Sequence, residues 1–413
     1  DDTCFPAQGG RLAAAEAQRA FGLLGAHLDV HEAIWHHGWC PENRLRLYSF
    51  FLKSLGVSAN ATERTDVLVP MTKLVVTPTG QATTSYGSRR PIDIVRDTAD
   101  MNYNVRRQLQ QDVSTYRAML PQWARNFSGI GHSLPALPAA AVFMGRVIEN
   151  ATMFTKWAIK GDGSCLSVVL LLSPTGSRSD NNATIVVTTT SSVDDPLPTL
   201  HNLIAQSLLS RGFCVAFVNL CGFGAAGPAF SSTPHPHIPH VGDGIPHLAG
   251  ASVAGWQAMD LSRCLSHLSI IGQNVTSVVA LDMTEMALLH LAAAEADSHT
   301  TPQVASVAVV RGVNSLNDVS TADFYNTPTW TDIPKALTRY DVADLTASVC
   351  PRPVLHLSPV APLLNPANST QVANAFAFSA GTCGEALTLR PGPLEDANLV
   401  SSLTAWATDV STM

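Results

Sequence analysis

Three groups of residues have types and spacing suited to chemistry. Gly250-Ala-Ser-Val-Ala-Gly255 looks at first like the Gly-x-Ser-x-Gly turn that lifts a nucleophilic serine out of a strand-to-helix elbow. Its serine precedes a predicted helix but follows no buried strand, so the strain that exposes such a nucleophile is missing. A second group lies in PHPHIPHVGDGIPH, which carries His235, His237, His240, Asp243 and His247. Neutral imidazoles are good metal ligands. Proline at alternate positions favours extended chain, which points neighbouring side chains apart, so no metal site is expected there. Third, Trp35, Trp39 and Trp256 have rings that stack on sugars, although core packing is the commoner fate of tryptophan.

Stepping along the chain gives the elements that must hold such groups. Residues 11–25 read as an amphipathic helix ending at Gly25, and 28–34 alternates like a strand. A second helix spans 41–55, with Pro41 in its first turn and Gly56 after its end. Two short β-like runs, VLVP and KLVVTPT, fall in the linker-like stretch 57–91. Residues 93–120 are polar and Arg-rich with helical spacing, which predicts a solvated connecting helix. A Pro-rich hinge follows at 133–139. From residue 140 the rhythm changes. The runs 142–148, 153–159 and 166–172 look like antiparallel lead-in strands. Strands are then expected at 185–190, 213–219, 275–281, 304–310, 353–358 and 386–390. Helices are expected at 199–211, 254–268, 285–296, 368–379 and 396–408. Such alternation with short connections makes an α/β fold with a mostly parallel, doubly wound sheet covered on both faces.

Composition bounds the function. Of 413 residues, 46% are hydrophobic and 14% charged, well below the roughly 25% charged of an average domain. A net charge of −7 offers no basic face to nucleic acid or anionic lipid. No apolar run reaches the ~18 residues of a membrane span. The eight cysteines contain no Cys-x-x-Cys pair, which argues against a zinc knuckle. Cys214 and Cys221 bracket one strand end and are candidates for a disulfide, though pairing cannot be read from sequence. Sequons occur at Asn60, Asn126, Asn150, Asn182, Asn274 and Asn368. With the low charge and even cysteine count, they point to a glycosylated protein in an extracellular or secretory compartment.

Two blocks resemble the tandem α/β-hydrolase proteins of acetyl-xylan-esterase-like type, which carry two hydrolase domains in one chain. DDTCFP, AEAQRAFGLLGA and HHGWCPENRLRLYSFFLKSLG (residues 1–56) look like the end of that family's first domain. KLVVTPTGQATTSYGSRRPIDIVRD is similar to the interdomain segment, within a linker and connecting helix over 57–139. RGFCVAFVNLCGFG, ASVAGWQAMDLSRCLSHL and YDVADLTASVCPRPVLHLSP resemble the second domain, over 140–413. The resemblance implies that Asp2 (or Asp1) and His37 hold the acid and base positions of a Ser-Asp-His triad. It also implies that a separate chain or segment supplies the serine and the first half of that domain.

The second domain reads as degenerate. Thr284 is expected at the nucleophile place in Asp282-Met-Thr-Glu-Met286, with Asp282 and Met286 where glycines should allow the tight turn. Glu285 there reads as a helix N-terminal carboxylate favoured by the dipole. No carboxylate follows the strand ending at Ser358, and no histidine lies beyond His356. The primary expectation is a secreted pseudoenzyme acting as a structural or assembly subunit within a larger extracellular assembly. Its alternatives are an acetyl-xylan-type esterase completed by an outside serine, or a carbohydrate-binding protein using the vestigial cleft. None of these needs a cofactor or a metal.

Overall fold

The computed structural model describes residues 7–36, 38–63, 69–131, 140–161, 165–175, 183–194, 197–227, 250–281, 283–296 and 303–412. Contacts divide the chain into two units, one ending at Ser88 and one beginning at Arg89.

In the first unit, α1 (Ala7–Leu23) and α2 (Pro41–Ser54) are the long elements. Proline opens α2, Cys40 Sγ caps it by accepting from Asn43 N–H, and Gly56 follows its end at φ 67°. Short helices α3 (Met71–Leu74) and α4 (Ala82–Tyr86) come next. The expected strand at 28–34 is absent, because no described strand of this unit offers it a ladder; Lys73 and Leu74 lie in α3, not in a β-run. Ion pairs Arg11–Glu32, Arg44–Glu63 and Arg46–Asp29 tie the segments together. Among the described residues of this unit only Cys40 is buried, while Phe21, Leu24, Ile34, Trp35, Trp39, Phe51 and Leu55 are exposed.

The second unit begins with α5 (Pro91–Leu109) and α6 (Val113–Ser128). This corrects the solvated connecting helix. Asp112 breaks the run by capping α6 through Thr115 N–H. Tyr116, Leu120, Ala124 and Ser128, four residues apart, then make a buried stripe. The sheet has nine strands: β1 (Ala141–Glu149), β2 (Thr152–Lys160), β3 (Leu166–Pro174), β4 (Ala183–Thr188), β5 (Cys214–Asn219), β6 (Asn274–Ala280), β7 (Val307–Val310), β8 (Val354–Leu357) and β9 (Leu387–Arg390). Their order is β1-β2-β3-β5-β4-β6-β7-β8-β9. β1, β2, β3 and β5 pair antiparallel; from β5 through β4 to β9 all pairing is parallel. The central parallel strands β4, β7 and β8 are almost wholly buried, as sheets covered on both faces require. β1 stands at the edge with its apolar side chains exposed.

Helices α7 (Thr199–Leu209), α8 (Val253–Ile270), α9 (Glu285–Ala294), α10 (Leu316–Thr321), α11 (Val342–Val349), α12 (Ser369–Ala375), α13 (Ala377–Cys383) and α14 (Asp396–Ser411) complete the unit. One core joins α6, α8, α9 and α11 to the sheet; the other joins α7 and α14 to it. Every residue of α9 is buried, as expected of a helix that is apolar all round. The predicted helix 368–379 is two, and α10 and α11 are too short to have been read from periodicity. Disulfides link Cys165 to Cys221 and Cys350 to Cys383. The suggested Cys214–Cys221 pair does not form: Cys214 is a free, buried thiol in β5.

Candidate functional site

Open parallel sheets bind ligands at the carboxyl ends of their strands, so the candidate site is built from the residues after β6, β7, β8 and β9. Each of the first three strands is followed by a non-glycine residue in the left-handed region: Met283 at φ 66°, Arg311 at φ 54° and Ser358 at φ 50°.

The strand-to-helix turn after β6 has Met283 at its left-handed position. Met283 directly precedes Thr284, the residue expected at the nucleophile place. Met283 packs against the core, and its carbonyl accepts from Trp330 Nε1 at 3.2 Å. Thr284 is 1% exposed; its hydroxyl lies 2.7 Å from Thr188 Oγ1 and 2.8 Å from the Leu281 carbonyl. It points back into the strands, where a substrate carbonyl has no access. Glu285 opens α9 as the expected helix N-terminal carboxylate, and it is buried there. Its Oε1 accepts from Val313 N–H at 3.0 Å, and Oε2 makes no hydrogen bond. Burial raises its carboxyl pKa, opposed by the Val313 bond. A Cβ on Gly312 would meet Val309 Cγ1 at 2.4 Å and Glu285 Cγ at 3.0 Å, so the glycine makes room for both side chains.

Where an acid would follow β8, Ser358 is buried and its N–H donates to the Arg390 carbonyl at 2.8 Å. Pro359 comes next. Where a base would follow β9, Asp396 accepts from Arg311 Nη2 at 2.6 Å. A guanidinium–carboxylate pair therefore links the residue after β7 to the start of α14, and no histidine lies there.

Two of the buried histidines, His290 and His356, are bonded within the packed interior. His290 Nδ1–H donates to the Met286 carbonyl at 2.7 Å, leaving Nε2 to accept from Tyr340 Oη at 3.0 Å. His356, inside β8, lies 3.0 Å from Thr346 Oγ1. Burial lowers their pKa values to about 4 and about 3, so both are neutral at physiological pH.

Ser252 in the Gly250–Gly255 segment is a helix cap. It is fully buried, accepts from Gly255 N–H at 3.0 Å, and donates to the Ser128 carbonyl at 3.0 Å. A Cβ on Gly255 would sit 1.9 Å from Ser128 O, so that glycine serves the close crossing of α8 and α6.

Asp2, His37 and the histidine-rich segment with His235, His237, His240, Asp243 and His247 lie outside the described residues. Trp35, Trp39 and Trp256 are 47%, 68% and 39% exposed, against the expectation of core packing. Among the described residues, only Cys165, Cys221 and Asp260 are close enough to share a metal. The two sulfurs are joined and Arg263 pairs with the carboxylate, so no thiolate is offered. The sequon residues Asn60, Asn126, Asn150, Asn274 and Asn368 are exposed; Asn182 is outside the described residues. Sequence reasoning missed Asn219, which accepts from Val193 and Ala225 N–H and donates to the Thr189 and Ser191 carbonyls. A lone amide ending the apolar run CVAFVN was its signal.

No family model matches the sequence, and no curated protein is similar to it. Among solved structures, a provisionally assigned acetyl xylan esterase of Bacteroides fragilis superposes with TM-score 0.51 at 13% identity, covering 67% of this chain and 74% of that one. Acetyl Xylan Esterase 1 of Thermoanaerobacterium sp. JW/SL YS485 gives TM-score 0.47 at 12% identity, covering 78% and 99%. A glucuronoyl esterase of Solibacter usitatus gives 0.46 at 12%, covering 71% and 92%. Together with the strand order, the first of these likenesses shows the fold: the second unit is an α/β-hydrolase-type domain, as the resemblance of its strand and helix blocks implied.

Proposed function

We propose that this chain is the part of a carbohydrate-esterase-like protein that lacks a catalytic triad of its own, and that its hydrolase-fold unit works as a structural or assembly subunit. One observation carries this reading: the left-handed residue of the elbow is Met283, with Thr284 held in hydrogen bonds to the strands behind it. A Ser hydrolase needs a nucleophile, a base beside it and an acid to orient the base. Here those places hold a buried threonine bonded to the strands, no histidine and a backbone-bonded serine. Two disulfides and five exposed sequons support a secreted glycoprotein. Serine-directed fluorophosphonate tests the reading: the purified chain should show no adduct by intact mass. An adduct mapped to Ser252 or Thr284 would overturn it.

A second reading is favoured by the fold, whose solved likenesses bear the names of esterases. In it, Asp2 and His37 act as acid and base for a serine supplied by another chain or segment, and an acyl ester on a polysaccharide is cleaved. The exposed apolar side chains of the first unit suit such a partner. This reading predicts that ester hydrolysis appears only with that partner and disappears in His37→Ala. Hydrolysis that survives His37→Ala would exclude it.

A further inference from the structure

Away from the strand ends lies a cavity of about 360 Å³, walled by α5, the segment leading into and through α10, the start of α11, and the α12–α13 pair. Met283, Arg311, Ser358 and Asp396 do not line it. Its volume falls within the roughly 300–1,000 Å³ of small-molecule sites. Tyr103 and Arg107 come from α5, Asn317 and Asp318 from α10, Asn374 from α12 and Phe378 from α13.

Two of these groups are short of partners. Asn317 Oδ1 is buried and makes no hydrogen bond. Asp318 accepts one long bond, 3.4 Å, from Asn314, and burial followed by the nearby Asp341 carboxylate raises its pKa. Buried polar groups in folded proteins are normally satisfied; Asn317 Oδ1 has almost no accessible surface, so it is the Asp318 carboxylate, with its one long bond, that leaves room for a donor from the cavity. The guanidinium of Arg107 and the amide of Asn374 are exposed at the same cavity, and both can donate. A lining with both signs of charge, amides and two aromatic rings suits a neutral ligand rich in hydroxyls, with one apolar face to lie on a ring. A metal ion fits poorly. Asp341 already accepts from Ser315 Oγ and from the N–H groups of Leu316, Asn317 and Val342. Moreover, Asp318, Asp341 and Asp344 do not converge on a common point.

We infer that this cavity binds one pyranose unit of a neutral polysaccharide, a site separate from the hydrolase cleft. The choice of a sugar rests on the esterase-like reading above. Sugar binding itself requires no ester chemistry, so its outcome is independent of the fluorophosphonate result.

The test titrates the full chain with methyl β-D-xylopyranoside and methyl β-D-glucopyranoside, followed by calorimetry and ligand-observed NMR. At least one glycoside should bind with a Kd of about 1–10 mM. The double variant Arg107→Ala/Asn374→Ala, whose side chains are exposed, should weaken it at least tenfold with Tm unchanged. Asp318→Asn, which keeps the shape and removes the charge, should weaken it by a similar factor. Absence of binding by either glycoside would overturn the inference. So would affinity undiminished in both variants, or displacement of the glycoside by calcium chloride at equal concentration.

Discussion

Left-handed backbone at a non-glycine residue costs on the order of 1–3 kcal/mol and persists only where its surroundings hold it. Met283, Arg311 and Ser358 follow three neighbouring strands, β6, β7 and β8. The left-handed turns thus cluster at the carboxyl ends of the parallel strands. His356, at the heart of β8, gives a pH prediction. Its folded pKa is about 3, depressed by burial, against an unfolded value near 6.5. Between those values the unfolded chain takes up a proton that the folded chain refuses. The histidine's contribution is therefore intact above pH ~6.5 and is lost as pH falls toward 3, at up to about 1.4 kcal/mol per pH unit. Asp344 works in the opposite sense. Burial lifts it to about 6, so its penalty is relieved as pH falls through that value. His356→Gln isolates the histidine. The variant should be less stable than the parent at pH 7.5, with the gap narrowing at pH 5 in urea melts; a constant gap would contradict the assignment. Sequence showed that no histidine follows His356, which requires only counting. It did not show which residue stands at the elbow. That depends on where β6 stops pairing with β4 and β7, a matter of three strands far apart in the chain.

At the scale of elements, the strand and helix alternation from residue 140 onward was readable because apolar runs of strand length and amphipathic helices of several turns have distinct periods. The short helices α10 and α11 were not, since six to eight residues define no period. The stripe on α6 was obscured by the polar α5 before it. The Gly250–Gly255 segment misleads because one pattern serves two purposes: here Ser252 caps α8 and Gly255 lets α8 cross the end of α6. Gly255→Ala should therefore destabilise the chain by roughly 1–3 kcal/mol, the cost of overpacking a close contact, measured as a lower urea midpoint with unchanged m-value. Ser252→Ala should cost about 1 kcal/mol as a lost cap. If Ser252 were a nucleophile instead, stability would hardly change.

For the whole molecule, the boundary at Ser88/Arg89 differs from the sequence division, which set a linker at 57–139. Composition alone cannot separate an Arg-rich helix in water from one whose far side carries a core. The second unit makes both of its hydrophobic cores from its own residues, whereas the first has Cys40 as its sole buried residue among those described. Residues 89–413 expressed alone should unfold in one cooperative transition, within about 4 °C of the full chain's main transition, the shift that ~1 kcal/mol brings in a domain of this size. An isolated 1–88 segment should show helical circular dichroism without a sharp melt. A sharp melt would mean that the segment has a core of its own.

The edge strand β1 has a practical consequence for anyone handling this protein. Val142, Phe143, Met144, Val147 and Ile148 are each more than half exposed, and among the described residues β2 is the only strand that pairs with β1. A nine-residue strand with five exposed apolar side chains and, among the described strands, one unpaired side is a template for another extended chain. Shelf life in concentrated solution should accordingly be governed at β1 rather than by the hydrophobic content of the chain. A lysine at Val147, on the open ladder, should raise the concentration at which light scattering first appears while leaving Tm within about 2 °C, since exposed positions rarely change stability by more than ~0.5 kcal/mol. Purification schemes, freeze–thaw losses and crystal habit would then all follow from one strand of the sheet.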